Sequence, residues 1–256
     1  MAKIVAIANQ KGGVGKTTTT INLGACLAGY GKRVLLVDLD SQGNATTGIG
    51  IQKGSYEQSM FDVIADGVSV KNIILDTCRE GLFVAPASID IAGLDQELGS
   101  ELHREKRVKI ALEEVRDDYD YILMDCPPAL GLLTINAFTA ADSVLIPVQC
   151  EFYALEGLGQ LLNSIRLVQK AFNPDLQVEG VVPTMYNNTN LADDVINEIR
   201  GYFTDKLYDT VISRNIKISE APSHGLSIID YDPSARGAQE YILLAQEFLK
   251  RNGEKI

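Results

Sequence analysis

The chain reads Gln10-Lys11-Gly12-Gly13-Val14-Gly15-Lys16-Thr17-Thr18 between a short apolar run, Lys3–Ala8, and a segment with helical spacing, Thr17–Ala28. A glycine-rich turn between a buried strand and a helix lets consecutive backbone N–H groups point inward, where the helix N-terminus adds partial positive charge. Such a turn binds phosphate groups. The stretch therefore predicts a strand, a phosphate-binding loop and a helix, in that order.

Two kinds of side chain at the end of this loop indicate a nucleoside triphosphate held with Mg²⁺. Lys16 can reach the β- and γ-phosphates as a mobile charge, and the Thr17 hydroxyl is placed to ligate the metal. We expect Thr18 to face the α-phosphate. A glycine turn used only for tight packing would not require lysine and threonine at these positions. The residues expected to bind ATP are Lys11, Gly12, Gly13, Val14, Gly15, Lys16, Thr17 and Thr18.

Short β-branched runs alternate along the 256 residues with segments whose apolar residues recur every three to four positions. This alternation predicts an α/β fold, a mostly parallel sheet flanked by helices on both faces. Because no internal repeat or Pro/Ser-rich linker interrupts it, residues 1–256 are expected to form one domain. The predicted strands are Lys3–Ala8, Arg33–Asp38, Leu82–Ala85, Tyr121–Asp125, Ser143–Val148 and Val178–Thr184. The predicted helices are Thr17–Ala28, Arg104–Val115, Leu132–Ala140, Leu155–Ala171, Asp193–Phe203 and Ala238–Leu249.

Carboxylates follow two of these strands at the point where each strand ends. Asp38 and Asp40 close the second predicted strand, and Asp125 closes the strand that begins at Tyr121. In open parallel sheets, ligands bind beyond the carboxyl ends of the strands. Two prolines after Asp125 force the chain out of the sheet. We therefore expect Asp125 to hold Mg²⁺ through a water molecule, on the same edge as the glycine-rich loop.

The loop departs from the ordinary G-x-x-x-x-G-K-[ST] pattern, because Gln10 replaces the first glycine and a second lysine, Lys11, stands inside it. A lysine there would crowd Lys16 at its own site, but it could reach the nucleotide of a facing partner. The loop resembles the deviant Walker A P-loop of the ParA/MinD ATPase family. That resemblance implies that Lys11 acts in trans across an ATP-sandwich homodimer.

Further matches extend the resemblance over essentially the whole chain and point to the Soj-like ParA branch. They are Val37–Asn44, Asp125–Pro128, Pro147–Glu151 and Ser219–Gly225. The resemblance implies that Asp40 positions the attacking water, with Lys11, Lys16 and Asp125 completing the catalytic set. Because such a set orients the phosphoryl group only when the dimer closes, slow intrinsic hydrolysis is expected. Asp38 is the alternative carboxylate, although a capping role suits it better.

The resemblance also assigns the nucleotide base to Ser213-Arg214-Asn215, where the family has Pro-Arg-Asn in contact with adenine. Ser213 replaces that proline. The Asn215 amide can still read the adenine edge, so Ser213 and Asn215 are the expected base contacts. A turn-capping role is the alternative for Asn215, since asparagine commonly caps turns.

Soj-like relatives bind DNA without sequence preference, although a formal net charge of −11 opposes indiscriminate attraction to phosphates. The chain has no arginine in Tyr186–Thr189, where the family carries one, and Lys217 stands where the family has a second. Lysine keeps that charge but loses the bidentate phosphate fork. Solvated surface charge is the alternative role for all the candidates. The candidate DNA contacts are Lys206, Arg214, Lys217 and Arg236.

The resemblance implies a cytoplasmic, nucleoid-associated ATPase of chromosome or plasmid partition, whose hydrolysis is stimulated by a ParB/Spo0J-type centromere-binding protein. The alternative is a MinD-like membrane-associated positioning ATPase. The last helical segment, Gln239–Arg251, has acidic residues opposite its apolar face, so we expect packing on the sheet and no stable membrane binding. An iron–sulfur reductase is disfavoured, because Cys126 directly follows Asp125 and stands too early to share a cluster.

Overall fold

The protein, described by a computed structural model over residues 1–99, 101–151 and 154–255, is built around one seven-stranded sheet. The strands are β1 (Lys3–Ile7), β2 (Val34–Asp38), β3 (Leu75–Asp76), β4 (Leu82–Ala85), β5 (Tyr121–Asp125), β6 (Ser143–Gln149) and β7 (Gln177–Thr184). The helices are α1 (Lys16–Gly29), α2 (Asn44–Gly48), α3 (Met60–Asp66), α4 (Leu94–Glu97), α5 (Arg107–Glu113), α6 (Leu132–Ala140), α7 (Ala154–Ala171), α8 (Asn190–Phe203), α9 (Ile216–Glu220), α10 (Ile228–Tyr231) and α11 (Arg236–Arg251).

The strand order is β3-β4-β2-β5-β1-β6-β7, and every pairing is parallel except that of β3 with β4. In this register Asp125 lies opposite Ile7 on one side and opposite Asp38 on the other. The carboxyl ends of the three central strands are therefore level. This brings the glycine-rich loop and both strand-ending carboxylates to one edge of the sheet.

Both faces of the sheet are covered, and the side chains of β1 show how. Ile4 and Ala6 belong to one cluster of buried residues, with α3, α5, α6 and α7, whereas Val5 and Ile7 belong to the other, with α1 and α11. Successive side chains of a strand point to opposite faces. Such a strand is apolar throughout because it is buried on both sides. This confirms the predicted α/β fold with helices on both faces.

The elements that the sequence failed to predict are short or are set by distant contacts. β3 has only two residues, too few to show a period. The predicted helix Arg104–Val115 is divided into a 3₁₀ turn, Arg104–Lys106, and α5. Asn136 joins the two parts, because its amide donates to the Arg104 carbonyl (2.8 Å) and its oxygen accepts from Val108 N–H (3.2 Å).

The C-terminal helix α11 packs its apolar face inside the protein. Tyr241, Leu244 and Phe248 are buried, and the Tyr241 hydroxyl lies 3.3 Å from that of Thr19 on α1. The predicted packing of this segment on the body of the fold is thus what the structure contains. Among all helices of the described ranges, none combines the length and the hydrophobicity needed to traverse a bilayer.

Candidate functional site

The glycine-rich loop owes its shape to two glycines in the left-handed region. Gly13 has φ 74° and Gly15 has φ 90°, conformations that side chains with a Cβ disfavour. Gly15 caps α1, and its carbonyl accepts the N–H of Thr19 at 2.8 Å. The Val14 carbonyl accepts the Thr184 hydroxyl at 2.8 Å, which ties the loop to the end of β7. The loop is therefore fixed in place at the N-terminus of a 14-residue helix.

Lys16 points into the loop and is largely shielded from water. Lys16 is 7% exposed, and its Nζ donates to the carbonyl oxygen of Lys11 at 3.3 Å. Burial lowers the pKa of Lys16, and the nearby carboxylates of Asp125 and Asp40 only partly oppose that effect. The ammonium group is thus positioned to meet an anion that compensates its lost hydration.

Lys11 leaves the same loop in the outward direction. Its backbone N–H donates to the Asn9 side-chain oxygen at 3.0 Å, which fixes the turn. Its Nζ lies 3.2 Å from a carboxylate oxygen of Glu151, just beyond β6, and the two side chains are 39% and 54% exposed. The structure therefore separates the two lysines of the loop, with Lys16 inside and Lys11 at the surface.

Asp125 is a fully buried carboxylate with incomplete hydrogen bonding. Oδ1 accepts a long bond from the Thr20 hydroxyl (3.4 Å), whereas Oδ2 has no partner among the described residues. Burial, and then the neighbouring charge of Asp38, raise the pKa of Asp125 to about 8. A buried carboxylate oxygen without a donor fits the oxygen ligands that Mg²⁺ prefers. Asp125 and the Thr17 hydroxyl are the residues that would hold the ion.

Asp38 and Asp40 have different surroundings although only one residue separates them. Asp38 is buried and accepts the N–H (2.8 Å) and hydroxyl (2.7 Å) of Thr46 and the N–H of Asp40 (3.1 Å). Burial still raises the pKa of Asp38 to about 6. Those bonds match the capping role that was the alternative to catalysis for Asp38.

Asp40 is half-buried and faces a cavity of about 360 Å³ that it lines with Pro127, Pro128 and Leu132. Its Oδ1 accepts the N–H of Gln42 at 3.0 Å. The carboxylate therefore lies between its own loop and the segment that follows Asp125, where a water molecule has room.

The segment expected at the nucleotide base runs beside the end of β7, because Tyr186 pairs with Ser213. Ser213 donates both its N–H (2.7 Å) and its hydroxyl (2.6 Å) to Glu240, and it is buried. The Ser213 hydroxyl therefore donates to Glu240 within the protomer, and the expected contact of Ser213 with adenine stays a prediction. Asn215 caps α9 by accepting the Lys217 N–H at 2.8 Å. The cap uses the side-chain oxygen of Asn215 and not its amide nitrogen.

Three of the four candidate DNA contacts lie on one surface, which we call the α9 surface and define by Arg214, Lys217 and Arg236. Arg214 and Lys217 flank the start of α9. Arg236 is close to them in space, because a Cβ built on its neighbour Gly237 would lie 3.6 Å from the Asn215 Cβ. Lys217 pairs with Glu220 at 3.0 Å and Arg236 with Glu240 at 2.8 Å. Both pairs are exposed on the cation side and leave their cations accessible.

Lys206 lies elsewhere. It lines a cavity with Lys3, Asp142 and Gln177, at the amino ends of β1, β6 and β7. This is the edge of the sheet opposite the glycine-rich loop, so Lys206 does not share the α9 surface with the other three candidates.

Three partners of these groups have no role predicted from the sequence. Glu151, Thr46 and Glu240 hold Lys11, Asp38 and Ser213, respectively. Glu151 stands inside a quoted match, Pro147–Glu151, so a signal for it was present. Glu240 follows Ser213 by 27 positions and Thr46 has no distinctive neighbours, so neither partner could be identified from spacing.

The sequence pattern of the AAA domain family matches residues 2–178. The chain is 61% identical to the sporulation initiation inhibitor protein Soj of Bacillus subtilis, over 96% of this chain and 98% of that protein. It is 48% identical to the chromosome partitioning protein ParA of Caulobacter vibrioides, over 99% and 96% of the two chains. Among solved structures, cobyrinic acid a,c-diamide synthase from Mycobacterium smegmatis, with bound ADP and magnesium, shares 36% identity at a TM-score of 0.86, covering 99% of this chain and 96% of that one.

Proposed function

The chain belongs to the Soj/ParA family of chromosome-partitioning ATPases, and from that premise we propose that it is an ATP-dependent dimerising switch that binds DNA nonspecifically. ATP is its substrate and Mg²⁺ its metal cofactor. In this proposal ATP closes a homodimer, the dimer binds DNA, and a ParB/Spo0J-type centromere-binding protein stimulates hydrolysis. Binding to DNA would keep the ATP form on the nucleoid.

Within one protomer the loop residues bind and orient the triphosphate. The backbone of Gly12, Gly13, Val14 and Gly15 and the side chains of Lys16, Thr17 and Thr18 surround the phosphates, while Asn215 donates to the base. When bound, Mg²⁺ would neutralise phosphate charge next to Asp125 and Thr17. Asp40 orients the attacking water from the cavity beside Pro127. A single carboxylate supplies modest acceleration, so turnover by the protein alone is slow.

The observation that carries the proposal is the outward course of Lys11. A lysine that served its own nucleotide would lie inside the loop, as Lys16 does, but Lys11 reaches Glu151 in an exposed ion pair. Such a pair contributes about 0–1 kcal/mol, so the multiple charges of a partner's triphosphate can displace Glu151 easily. Lys11 is therefore suited to bind the nucleotide of a second copy of the chain.

The test compares Lys11→Ala with Lys32→Ala, which removes a lysine that forms a partly exposed ion pair with Glu254. We expect Lys11→Ala to bind ATP within about fivefold of wild type, because the Lys11 side chain points out of the loop toward Glu151. Light scattering on a sizing column should find it monomeric with ATP, whereas wild type and Lys32→Ala form dimers. A Lys11→Ala protein that dimerises with ATP as wild type does would rule out the trans role.

DNA binding is tested by charge reversal on the two edges of the sheet. With ATP, Lys217→Glu should weaken binding to a random duplex and lower the salt slope by about one unit, since one phosphate contact is lost. Lys206→Glu is the matched control, because it makes the same charge change on the opposite edge. Anisotropy measured over a salt series gives both slopes. Equal losses for the two variants would mean that net charge, and not the α9 surface, governs binding.

A further inference from the structure

Two loops of the protein touch through their backbones, without an intervening side chain. Gly50 has φ 95° and Gly225 has φ 67°, so both are in the left-handed region. A Cβ added to Gly225 would lie 2.6 Å from the Gly50 Cα, and one added to Gly50 would lie 3.0 Å from the Gly225 carbonyl oxygen. Conformation and space thus both require glycine at the two positions. We call this junction the Gly50–Gly225 contact.

One side of the contact belongs to the segment that carries Asp40, residues 38–53, which we call the Asp40 segment. It is closed on itself by hydrogen bonds. Asp38 holds Thr46 at 2.8 and 2.7 Å, and the Thr46 carbonyl in turn accepts the Ile51 N–H at 3.2 Å. Lys53 donates to the Gln42 carbonyl at 2.6 Å. A movement of Asp40 with its nucleotide would therefore carry Gly50 with it.

The other side of the contact belongs to the α9 surface. Gly225 ends a 3₁₀ turn, Ala221–His224, that continues directly from α9. The Gly225 N–H donates to the Pro222 carbonyl at 3.0 Å, and the Leu226 N–H donates to that of Ala221 at 3.2 Å. A Cβ on Gly48 would lie 3.6 Å from Pro222, so α2 also packs on this turn. Lys217 is therefore connected to Gly225 by a short, hydrogen-bonded stretch of backbone, namely α9 and the turn that follows it.

Side chains at an interface can change rotamer and absorb a displacement, but two backbones in contact cannot. Small shifts at one site are transmitted where packed elements have only discrete arrangements. We propose that the Gly50–Gly225 contact couples the nucleotide state of the Asp40 segment to the DNA affinity of the α9 surface. ATP then favours the arrangement of α9 that binds DNA. This inference rests on the proposed function, since it explains how one site of that function controls the other.

The test is Gly225→Ala, with Gly67→Ala as the matched control. Gly67 has φ 71° and follows α3, and a Cβ there meets nothing within 4 Å, so it carries the same backbone strain without the contact. DNA affinity is measured with a non-hydrolysable ATP analogue and with ADP. The ratio of the two affinities reports the coupling, and a coupling of about 1–3 kcal/mol corresponds to about 5–150-fold.

We expect Gly225→Ala to lower this ratio at least fivefold relative to wild type, with nucleotide affinity and ATP-dependent dimerisation near wild type, since dimerisation alone still favours the ATP form. Gly67→Ala should retain the wild-type ratio. An unchanged ratio in folded Gly225→Ala overturns the inference and leaves the proposed function intact. If wild type itself binds DNA equally with both nucleotides, the proposed function falls as well.

Gly50→Ala provides a second, milder variant if Gly225→Ala does not fold, because its new Cβ meets a single carbonyl oxygen at 3.0 Å. It should lower the ratio in the same direction. Circular dichroism and a thermal unfolding curve identify folded protein beforehand. A folded Gly50→Ala protein with the wild-type ratio would equally overturn the inference.

Discussion

At the amino edge of the sheet, the buried Glu179 accepts hydrogen bonds from Lys3 (2.6 Å), Ser143 (2.7 Å) and Asn252 (2.9 Å). At the carboxyl edge, the buried Asp125 has one oxygen with no partner in the part of the chain that the structure describes. Burial alone raises the pKa of both acids, but the bonds and charge at Glu179 outweigh burial and lower its pKa, whereas that of Asp125 rises to about 8.

The difference separates stability from function. A buried charge whose bonds are all made costs little, and its loss leaves its partners unsatisfied. A buried charge with an unsatisfied hydrogen bond lowers the free energy of unfolding until a ligand supplies the missing partner. The amino edge therefore contributes to folding, and the carboxyl edge retains binding capacity. Substitutions at the two edges should affect different measurements, which makes the comparison testable.

The largest expected effect is on nucleotide binding by Lys16→Ala. Losing charge-assisted bonds to two phosphates should weaken ATP binding by about 4 kcal/mol, roughly a thousandfold. The free energy of unfolding should change little, because among the described residues this buried ammonium is bonded to a backbone carbonyl and not to a carboxylate. Titration calorimetry and urea unfolding measure the two quantities. ATP affinity equal to wild type would contradict the assignment of the loop.

Glu179→Ala should give the reverse result at the amino edge. Removing the buried member of a partly buried ion pair leaves Lys3 and Ser143 without their acceptor, and should lower the free energy of unfolding by about 3 kcal/mol. ATP affinity should stay at the wild-type value. Glu179→Gln keeps an acceptor but loses the charge, so its free energy of unfolding should lie between those of wild type and Glu179→Ala. Loss of ATP binding in a folded Glu179→Ala protein would mean that the edges are not independent.

A smaller change, of opposite sign, is expected for Asp125→Asn. The amide is nearly isosteric with the carboxylate but carries no charge to desolvate, so urea unfolding with chelator present should show a gain of about 1–2 kcal/mol. The added stability that wild type gains from ATP with Mg²⁺ should diminish. A loss of stability in the chelated protein would show that the buried carboxylate is not a cost.

The smallest effect concerns the pH dependence contributed by Glu179. Because its folded pKa is lowered, its contribution is complete above the unfolded value of about 4.3 and is lost as pH falls through the folded value. The stability difference between wild type and Glu179→Gln should be constant from neutral pH to about pH 5 and shrink below pH 4. A difference that grows on acidification would reverse the assigned sign.

What could be predicted from the sequence is what local spacing determines. The glycine-rich loop and Asp125 were identified correctly as features of one edge, because a strand and its following residues fix their positions in the sheet. The Lys11–Glu151 pair could not be derived, because 140 positions separate the residues and only the alignment of β1 with β6 brings them together.

Side-chain competition limited the prediction in other places. The bond from the Ser213 hydroxyl to Glu240 on α11 could not be predicted, because 27 positions separate the two residues. Lys206 belongs to the same basic stretch as Lys217, yet the chain turns between them and leaves it on the other edge. A run of basic residues in the sequence therefore does not predict a single basic surface, because the path of the chain decides which of them lie side by side.

In the free protein, the Lys16 ammonium occupies the glycine-rich loop by donating to the Lys11 carbonyl. The Lys16 side chain is therefore already ordered when a triphosphate binds. The ammonium exchanges the Lys11 carbonyl for a phosphate oxygen as its acceptor. That exchange releases the peptide group of Lys11, the residue whose amine faces outward. In the proposed dimer, ATP binding to one protomer therefore frees the backbone carbonyl of the residue whose side chain would contact the nucleotide of the other protomer.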